Sequence, residues 1–235
     1  MSVIFVTGGT GAIGSAVAEE FSRTDDVVFS YNSCADKAQR LKERLRCGCV
    51  RMDVSDRQSV NAAVAGVLKS YGHIDVLVNN AGISQIKLFG DITDEDWARM
   101  LAVDLTGCFN VTQEVLKGMI ARKSGAVVNI SSVWGVHGAS CEVHYSAAKA
   151  GVIGMTKALA KEVGLSGVTV NCVAPGVIDS PMNSAHLTPE ELSELAEQTP
   201  VGRLGRPDEV ARAVRALAEN RFITGQVLGV DGGFY

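Results

Sequence analysis

The chain has 235 residues, of which 46% are hydrophobic and 25 are glycine, so one α/β domain with a substantial buried core is expected. Its formal net charge is -4, with 22 basic residues dispersed among 26 acidic ones, which argues against binding to nucleic acid or to anionic membranes. No apolar run reaches the roughly 18 residues that a membrane-spanning helix needs. The N-terminus leads directly into a predicted strand without a signal peptide, so the protein is expected in the cytoplasm.

The six cysteines and four histidines follow no metal-binding spacing, and we therefore expect no metal site. Free cysteines are among the residue types most often buried, and a reducing cytosol keeps them unpaired. The six thiols are accordingly predicted to be buried and free of disulfides.

Seven short apolar segments alternate with longer helical patterns along the chain; they span residues 3–7, 27–31, 49–52, 74–79, 126–131, 168–173 and 225–231. Several are apolar at nearly every position, which is typical of parallel strands covered by helices on both faces. No linker, repeat or low-complexity tract divides the chain. The predicted fold is one α/β domain over residues 1–235, with a Rossmann-type doubly wound parallel sheet of about seven strands.

Helix starts are marked by capping patterns between these segments. Ser55 followed by Gln58, and Thr188 followed by Glu191, each match the capping box. Thr93 stands before three acidic residues, which is a further helix start.

A glycine-rich turn follows the first predicted strand and opens the first helix. Gly9, Gly11 and Gly14 have the spacing of the dinucleotide fingerprint, in which backbone N–H groups approach a pyrophosphate at the positive end of a helix. Its position between strand and helix supports nucleotide binding more than the glycine spacing alone. The cofactor contacts expected from this turn are Gly8, Gly9, Thr10, Gly11, Ile13 and Gly14.

The end of the second strand bears on the choice of nicotinamide cofactor. An acid there would bind the ribose 2′-hydroxyl of NAD(H), but Ser30, Asn32 and Ser33 are neutral. Lys37 and Arg40, on the following helix, would attract a 2′-phosphate. The sequence therefore favours NADP(H) over NAD(H), with Ser33 among the contacts.

Two further strand ends contribute expected cofactor contacts. Asp53, followed by Val54, is placed either to accept a hydrogen bond from an adenine amino group or to cap the helix near Ser55, and the sequence does not separate these roles. The fourth strand ends in residues 80–82, and ligands of such sheets bind at the carboxyl ends of the strands. We therefore expect contacts from Asn80, Ala81 and Gly82.

Tyr145 and Lys149 are four residues apart on a helix rich in small residues, so they share one face. A free tyrosine has a pKa near 10, and a nearby ammonium lowers it. Such a pair exchanges a proton with a carbonyl oxygen, and Ser132 at the end of the fifth strand is within reach of the same oxygen. The spacing also arises by chance, and a tyrosine on a packed helix is commonly a core residue; the phosphate turn and the strand-end serines favour catalysis.

Together these segments resemble the short-chain dehydrogenase/reductase family. "VTGGTGAIG", "DVLVNNAG", "VVNISSVWG", "YSAAKAG", "VNCVAPGVIDSPM" and "ITGQVLGVDGG" occur in the family's order and spacing over essentially the whole chain. Within the family, the chain is most similar to the bacterial 3-oxoacyl-[acyl-carrier-protein] reductases. That likeness implies an NADPH-dependent reduction of a 3-oxoacyl thioester and a role in fatty acid biosynthesis.

The resemblance also implies individual roles. Tyr145 is the general acid/base, Lys149 binds the nicotinamide ribose and lowers the tyrosine's pKa, and Ser132 positions the substrate carbonyl. A loop on the nicotinamide side contains Pro175, Gly176, Ile178 and Ser180, the last in place of the usual threonine.

Asp104 stands where the family usually has an asparagine that takes part in a water-linked proton relay with the lysine. We expect the relay to persist with an altered pH dependence, because a carboxylate near Lys149 stabilises its ammonium. Asp104 either keeps a backbone contact to the water or pairs directly with Lys149. The alternative is a tolerated substitution that merely holds a bend in the helix.

Residues 180–205 are predicted to form a lid over bound substrate, with a plain surface helical hairpin as the alternative. The resemblance implies a homotetramer or homodimer. The expected partner is a small-molecule or acyl-carrier-bound ketone. The alternative substrates are a sugar, polyol, steroid or other small hydroxy compound, and a more distant alternative is a regulator that binds NADP without catalysis.

Overall fold

The computed structural model describes residues 1–234 and contains one seven-stranded sheet in which every neighbouring pair is parallel. Its spatial order is β3-β2-β1-β4-β5-β6-β7. The strands are β1 (Val3–Val6), β2 (Asp26–Tyr31), β3 (Gly48–Arg51), β4 (Val76–Asn79), β5 (Gly125–Ile130), β6 (Val168–Pro175) and β7 (Val227–Val230).

Ten α-helices lie in the described part of the chain; α1 (Ala12–Ser22), α2 (Ala35–Leu45), α3 (Arg57–Tyr71), α4 (Asp94–Leu101), α5 (Gly107–Arg122), α6 (Val133–His137), α7 (Val143–Val163), α8 (Pro181–Ser184), α9 (Pro189–Gln198) and α10 (Pro207–Glu219). A π-helical turn over Ala102–Thr106 joins α4 to α5. Short 3₁₀ turns occupy Phe89–Asp91 and Gly164–Ser166. None of the described helices is long and apolar enough to cross a membrane.

The alternation of side chains along the strands separates the core into two layers. In β1, Ile4 and Val6 pack on one face with α1, α2 and α10, whereas Phe5 packs on the other with α3, α5 and α7. Both faces of the central strands are therefore buried, which explains why their sequences are apolar at nearly every position. The predicted doubly wound sheet is confirmed.

The strand order reverses between β1 and β4, and this is the position at which doubly wound sheets bind ligands. The Thr7 hydroxyl accepts hydrogen bonds from the Asn80 and Ala81 N–H groups, at 2.9 and 3.0 Å. The Asn80 side-chain amide donates to the carbonyls of Thr7 and Gly8, at 3.0 and 3.1 Å. The ends of β1 and β4 are thus held together around the glycine turn.

Local predictions were right within a residue or two at most strand ends, and the capping boxes of Thr93 and Thr188 are confirmed. The cap proposed at Ser55 was wrong. Asp56 caps α3 by accepting from the Gln58 N–H at 2.9 Å, while the Ser55 hydroxyl donates to Asp53. Buried thiols were predicted at all six cysteines, which are unpaired, but only Cys108 and Cys172 are buried.

Candidate active site

A cavity of about 880 Å³ opens at the carboxyl edge of the sheet, where the strand order reverses. This volume lies in the range of small-molecule and cofactor sites. The glycine turn and the ends of β2 and β3 line one part of it, and the N-terminal end of α7 lines another. Residues between β6 and α10 close the remaining side; those that line the cavity include Met182, Asn183, His186, Leu187 and Leu195.

Tyr145 and Lys149 meet at the cavity wall, as their spacing predicted. The Lys149 ammonium lies 5.6 Å from the centre of the Tyr145 ring and donates to the Ile130 carbonyl at 3.2 Å. Lys149 is only 4% exposed, so its charge acts on its neighbours with little screening by water. The phenol and the ammonium are thereby placed at the end of β5, beside Ser132.

Asp104 lies against the same ammonium. Its Oδ2 is 3.1 Å from the Lys149 Nζ, and its Oδ1 accepts from the Ile83 N–H at 2.9 Å. Of the two alternatives for Asp104, the direct pair with Lys149 is the one observed. The residue also sits in the π-helical turn, and such bulges recur at functional sites because they redirect one side chain within a helix.

Gly82 leaves the space in which this pair forms. A methyl group built at Gly82 would lie 2.7 Å from the Asp104 Oδ2 and 3.3 Å from the Lys149 Nζ. Contacts this short do not occur without displacement of one group. The glycine at the end of the "NNAG" segment therefore leaves room for the two charged groups in their observed positions.

The pKa values of the three groups are interdependent. Burial raises the pKa of Tyr145 above its usual value, and the Asp104 carboxylate adds to the rise, while Lys149 and Ser132 oppose it. Lys149 thus lowers the tyrosine's pKa as predicted, but burial outweighs it. Burial also lowers the pKa of Lys149, yet Asp104 and Tyr145 reverse that effect and the net direction is upward. The lysine stays charged and the phenol stays protonated at neutral pH.

Two adjacent serines follow β5, and they have different partners. The Ser131 hydroxyl donates to the Lys149 carbonyl at 2.9 Å and so fixes α7 against the sheet. The Ser132 hydroxyl accepts from the Trp134 N–H at 3.2 Å and lines the cavity. Ser131 lines the cavity as well, but its hydroxyl donates to a backbone carbonyl, so Ser132 stays the predicted substrate-positioning serine.

The glycine turn fits a dinucleotide. α1 begins after Gly11 with no capping side chain, so its first N–H groups are left for another partner. Gly8, Thr10, Gly11 and Ile13 line the cavity, as expected. A helix N-terminus that is uncapped and faces a cavity is a site for a phosphate group.

Gly9 and Gly14 were expected among the cofactor contacts but do not line the cavity. A methyl group on Gly9 would lie 2.4 Å from the Phe29 side chain, and one on Gly14 would lie 2.4 Å from the Gly8 carbonyl. Both glycines permit the close packing of the turn, α1 and β2. They therefore maintain the conformation of the glycine turn, and a direct contact with the cofactor stays a prediction.

Asp53, for which two roles were open, does not cap a helix. It accepts from the Ser55 N–H at 2.9 Å and from the Asn32 amide at 3.2 Å, and the hydrogen bonds from Ser55 lower its pKa. Asp53 and Val54 line the cavity, which leaves the adenine contact in place as a prediction. Ser33 and Lys37 also line it, and Arg40 lies in an adjoining depression with them.

The predicted nicotinamide-side loop lines the cavity through Pro175, Gly176, Ile178 and Ser180, as do the predicted contacts Asn80, Ala81 and Gly82. Ser180 also caps α8. The Asp179 N–H donates to the Gly205 carbonyl at 2.8 Å, and the Gly205 N–H donates to the Val177 carbonyl at 2.9 Å. Residues 180–204, which include α8 and α9, thus form a segment whose two ends are joined by backbone hydrogen bonds.

Sequence reasoning missed Glu142, which lines the cavity one helical turn before Tyr145. The signal was a carboxylate three residues ahead of the tyrosine, a spacing that places side chains next to each other at the start of a helix. His144, interpreted as structural, is fully buried and hydrogen-bonds to the Gln85 side chain at 2.8 Å. Within residues 1–234, no cluster of three or more His, Cys, Asp or Glu is arranged to hold a metal.

Comparison with known proteins adds to this geometry. A family model described as enoyl-(acyl carrier protein) reductase matches residues 9–235. The chain is 40% identical to the 3-oxoacyl-[acyl-carrier-protein] reductase FabG of Thermotoga maritima, covering 98% of this chain and 96% of the relative. It is 42% identical to the protein of the same name from Chlamydia muridarum, covering 97% and 95%. An acetoacetyl-CoA reductase of Rhizobium meliloti is 40% identical, covering 99% and 98%.

Proposed function

Because the chain belongs to the short-chain dehydrogenase/reductase family, a family of NAD(P)-dependent oxidoreductases, we propose that it reduces a 3-oxoacyl thioester to the 3-hydroxyacyl form. The observation that carries the proposal is the meeting of Tyr145, Lys149 and Ser132 on one wall of the cavity. The relatives' names support the substrate class, since acetoacetyl-CoA is itself a 3-oxoacyl thioester. We further propose the acyl-carrier-bound form as the substrate and fatty acid biosynthesis as the setting.

The proton that the carbonyl oxygen receives on reduction comes, in this proposal, from a side chain of the protein. Tyr145 donates its phenolic proton to the substrate carbonyl oxygen, and the raised pKa keeps that proton available at neutral pH. Ser132 holds the same oxygen by a hydrogen bond. Lys149, kept charged by Asp104, would hold the nicotinamide ribose, and it limits the pKa rise of the tyrosine. A bound reduced nicotinamide supplies the hydride that the carbonyl carbon receives.

NADP(H) is the proposed cofactor, in preference to NAD(H). Lys37 and Arg40 have no ion-pair partner among the described residues, and both are exposed beside Ser33. A pair of free cations beside a neutral strand end favours an additional phosphate. The pyrophosphate lies, in this proposal, at the uncapped start of α1.

Residues 180–205 are the proposed lid. Backbone hydrogen bonds between Asp179 and Gly205, and between Gly205 and Val177, join the two ends of the segment that carries α8 and α9. Met182, Leu187 and Leu195 line the cavity from this segment and would meet the acyl part of a substrate. Closure of such a lid excludes water from the reaction.

A homotetramer remains the proposed assembly, with a homodimer as the alternative. Trp97, Phe109 and Ile120 on α4 and α5 are each at least 40% exposed. On the other side, β7 is the last strand of the sheet and carries the exposed Leu228. Exposed apolar groups and an open strand edge both favour association. Light scattering that gives the mass of a monomer would refute this proposal.

The function is tested by following the oxidation of NADPH with a panel of carbonyl compounds. Acyl-carrier-bound and CoA-bound 3-oxoacyl thioesters are compared with ketosugars, oxidised polyols and ketosteroids. We expect kcat/KM for the thioesters to be the highest by at least about tenfold. A higher value for any other class overturns the proposed substrate, and no turnover with any class favours the non-catalytic alternative.

A further inference from the structure

Glu142 is an acidic residue that lines the cavity but has no role in the proposed transfer of the proton and the hydride. It immediately precedes α7, and its side chain does not cap that helix. The residue lines the cavity together with Ser132, Ser140 and Tyr145. Its carboxylate charge raises the pKa of Tyr145, so the two groups are close enough to interact.

The carboxyl group of Glu142 has no partner. Its Oε2 is shut off from solvent and makes no hydrogen bond to any described residue. The Lys87 N–H donates to the carbonyl of Cys141, the residue before Glu142, at 2.7 Å. Tyr145, Lys149 and His186 line the same cavity as Glu142, and His144 hydrogen-bonds to Gln85. Lys87 pairs with Asp96 and Lys149 with Asp104, and no ion pair within residues 1–234 includes Glu142. A buried polar atom without a partner is uncommon and calls for an explanation.

The protonation state of this carboxyl follows from its surroundings. Burial raises the pKa of Glu142 from 4.5 to about 7, and no nearby cation offsets the rise. At neutral pH a large fraction is therefore a neutral carboxylic acid, which donates one hydrogen bond as well as accepting others.

We propose that Glu142 donates a hydrogen bond to the thioester carbonyl oxygen of a 3-oxoacyl substrate, and so selects 1,3-dicarbonyl compounds over simple ketones. The inference rests on the proposed function, whose substrate class it deepens. In a 3-oxoacyl thioester only one carbon separates the two carbonyl groups. With the 3-oxo oxygen held by Tyr145 and Ser132, the second oxygen is only a few bonds away, and Glu142 lines the same cavity beside these two residues.

The proposal predicts how binding depends on pH. The donor is lost as Glu142 ionises, so KM for a 3-oxoacyl thioester rises above pH 7, the approximate pKa of Glu142. Glutamine at this position offers an N–H donor at every pH. Glu142→Gln therefore keeps a low KM and loses its pH dependence, whereas Glu142→Leu has no donor at any pH. His144, two residues further along the chain, and His186, which lines the cavity, are intact in both variants.

The test compares acetoacetyl-CoA with a simple ketone of similar length, for the wild type and for the Gln and Leu variants, from pH 5.5 to about 8.5, a range that brackets the Glu142 pKa. Glu162→Gln is the matched control, because Glu162 is exposed at the far end of the same helix. The readout is the ratio of kcat/KM for the thioester to that for the ketone. We expect Glu142→Leu to lower this ratio about tenfold at pH 6, the size of one lost hydrogen bond. Glu142→Gln restores it, and Glu162→Gln matches the wild type.

Each outcome decides the matter. An unchanged ratio in Glu142→Leu overturns the inference while the proposed function stands, because the thioester is still reduced. A pH-dependent KM that survives in Glu142→Gln assigns the titration to a group other than Glu142 and also overturns the inference. If the wild type reduces the simple ketone but no 3-oxoacyl thioester, the proposed function and the inference fall together. Thermal unfolding of each variant at the assay pH confirms that the compared proteins are folded.

Discussion

The carboxylate of Asp104 lies 3.1 Å from the ammonium of Lys149, and both side chains are at most 6% exposed. The pair places a negative charge beside the cation that would otherwise act on Tyr145 alone. Asp104 therefore opposes the effect of Lys149, which lowers the pKa of the Tyr145 phenol. This keeps Tyr145 in the protonated form that ketone reduction uses.

Asp104→Asn is predicted to shift the pH dependence of catalysis towards lower pH. Removing the carboxylate removes a charge that raises the pKa of Tyr145, so the phenol ionises at lower pH. In ketone reduction the alkaline fall in kcat begins earlier, and in alcohol oxidation the rise begins earlier. We expect a shift of about 0.5–1 pH unit in both profiles. Identical profiles for the variant and the wild type would mean that Asp104 serves only the helix bend.

Tyr145→Phe is predicted to lower kcat by about 10²–10⁴, the usual contribution of a general acid. The ring still packs beside Lys149, so cofactor binding is retained. Single-turnover measurement of NADPH oxidation gives the rate, and quenching of protein fluorescence gives the cofactor affinity. A variant that keeps most of its turnover contradicts the role of the phenol.

Gly82→Ala is predicted to disrupt the ion pair, because its methyl group would lie 2.7 Å from the Asp104 Oδ2. We expect a loss of roughly 1–3 kcal/mol in the free energy of unfolding, the range for overpacking of a filled site, and a large loss of activity. Gly66→Ala is the matched control, since a methyl group there meets nothing within 4 Å. That control lies inside α3 and should gain about 0.5–1 kcal/mol. Equal stability changes in the two variants, measured by urea unfolding, would count against the steric explanation.

The double variant Lys37→Ala, Arg40→Ala is predicted to raise KM for NADPH about tenfold or more, with a small effect on KM for NADH. The reason is that only NADPH carries the phosphate that these two cations attract. Lys42→Ala, on the same helix but outside the cavity and its adjoining depression, serves as the control. Steady-state kinetics with both cofactors decide the question. An equal rise in KM for NADH, or a wild-type enzyme that prefers NADH, would contradict the proposal that the cofactor is NADP(H).

Glu142→Gln is predicted to stabilise the fold more at pH 8 than at pH 4.5. The folded pKa of Glu142, about 7, is above its unfolded value of 4.5. The native state therefore carries a buried, unpartnered charge above pH 7, and this cost disappears as the pH falls to 4.5. Since the group is partly open to the cavity, we expect a difference on the order of 1 kcal/mol. Melting temperatures of the two proteins across this range provide the check, and a constant difference contradicts the assigned pKa.

Much of the site was predictable because its chemistry follows local spacing. Tyr145 and Lys149 share a helix face because of the helical repeat. The glycine turn that contains Gly11 could be recognised because it lies between a predicted strand and a predicted helix. The packing role of Gly9 and Gly14, by contrast, could not be predicted. A glycine needed for close approach to a ligand and one needed for close packing look the same in a sequence, and only the neighbours, Phe29 and the Gly8 carbonyl, separate them.

The sequence by itself determined the doubly wound sheet, its carboxyl edge and the facing tyrosine and lysine, since each depends on a period or spacing within one segment. Only the tertiary structure decided that Asp104 pairs with Lys149, that Gly82 makes room for them and that Glu142 has no partner. Those relationships join residues that are tens of positions apart, or depend on whether a neighbouring atom is present. No local pattern encodes them, because they arise when the strands and helices pack.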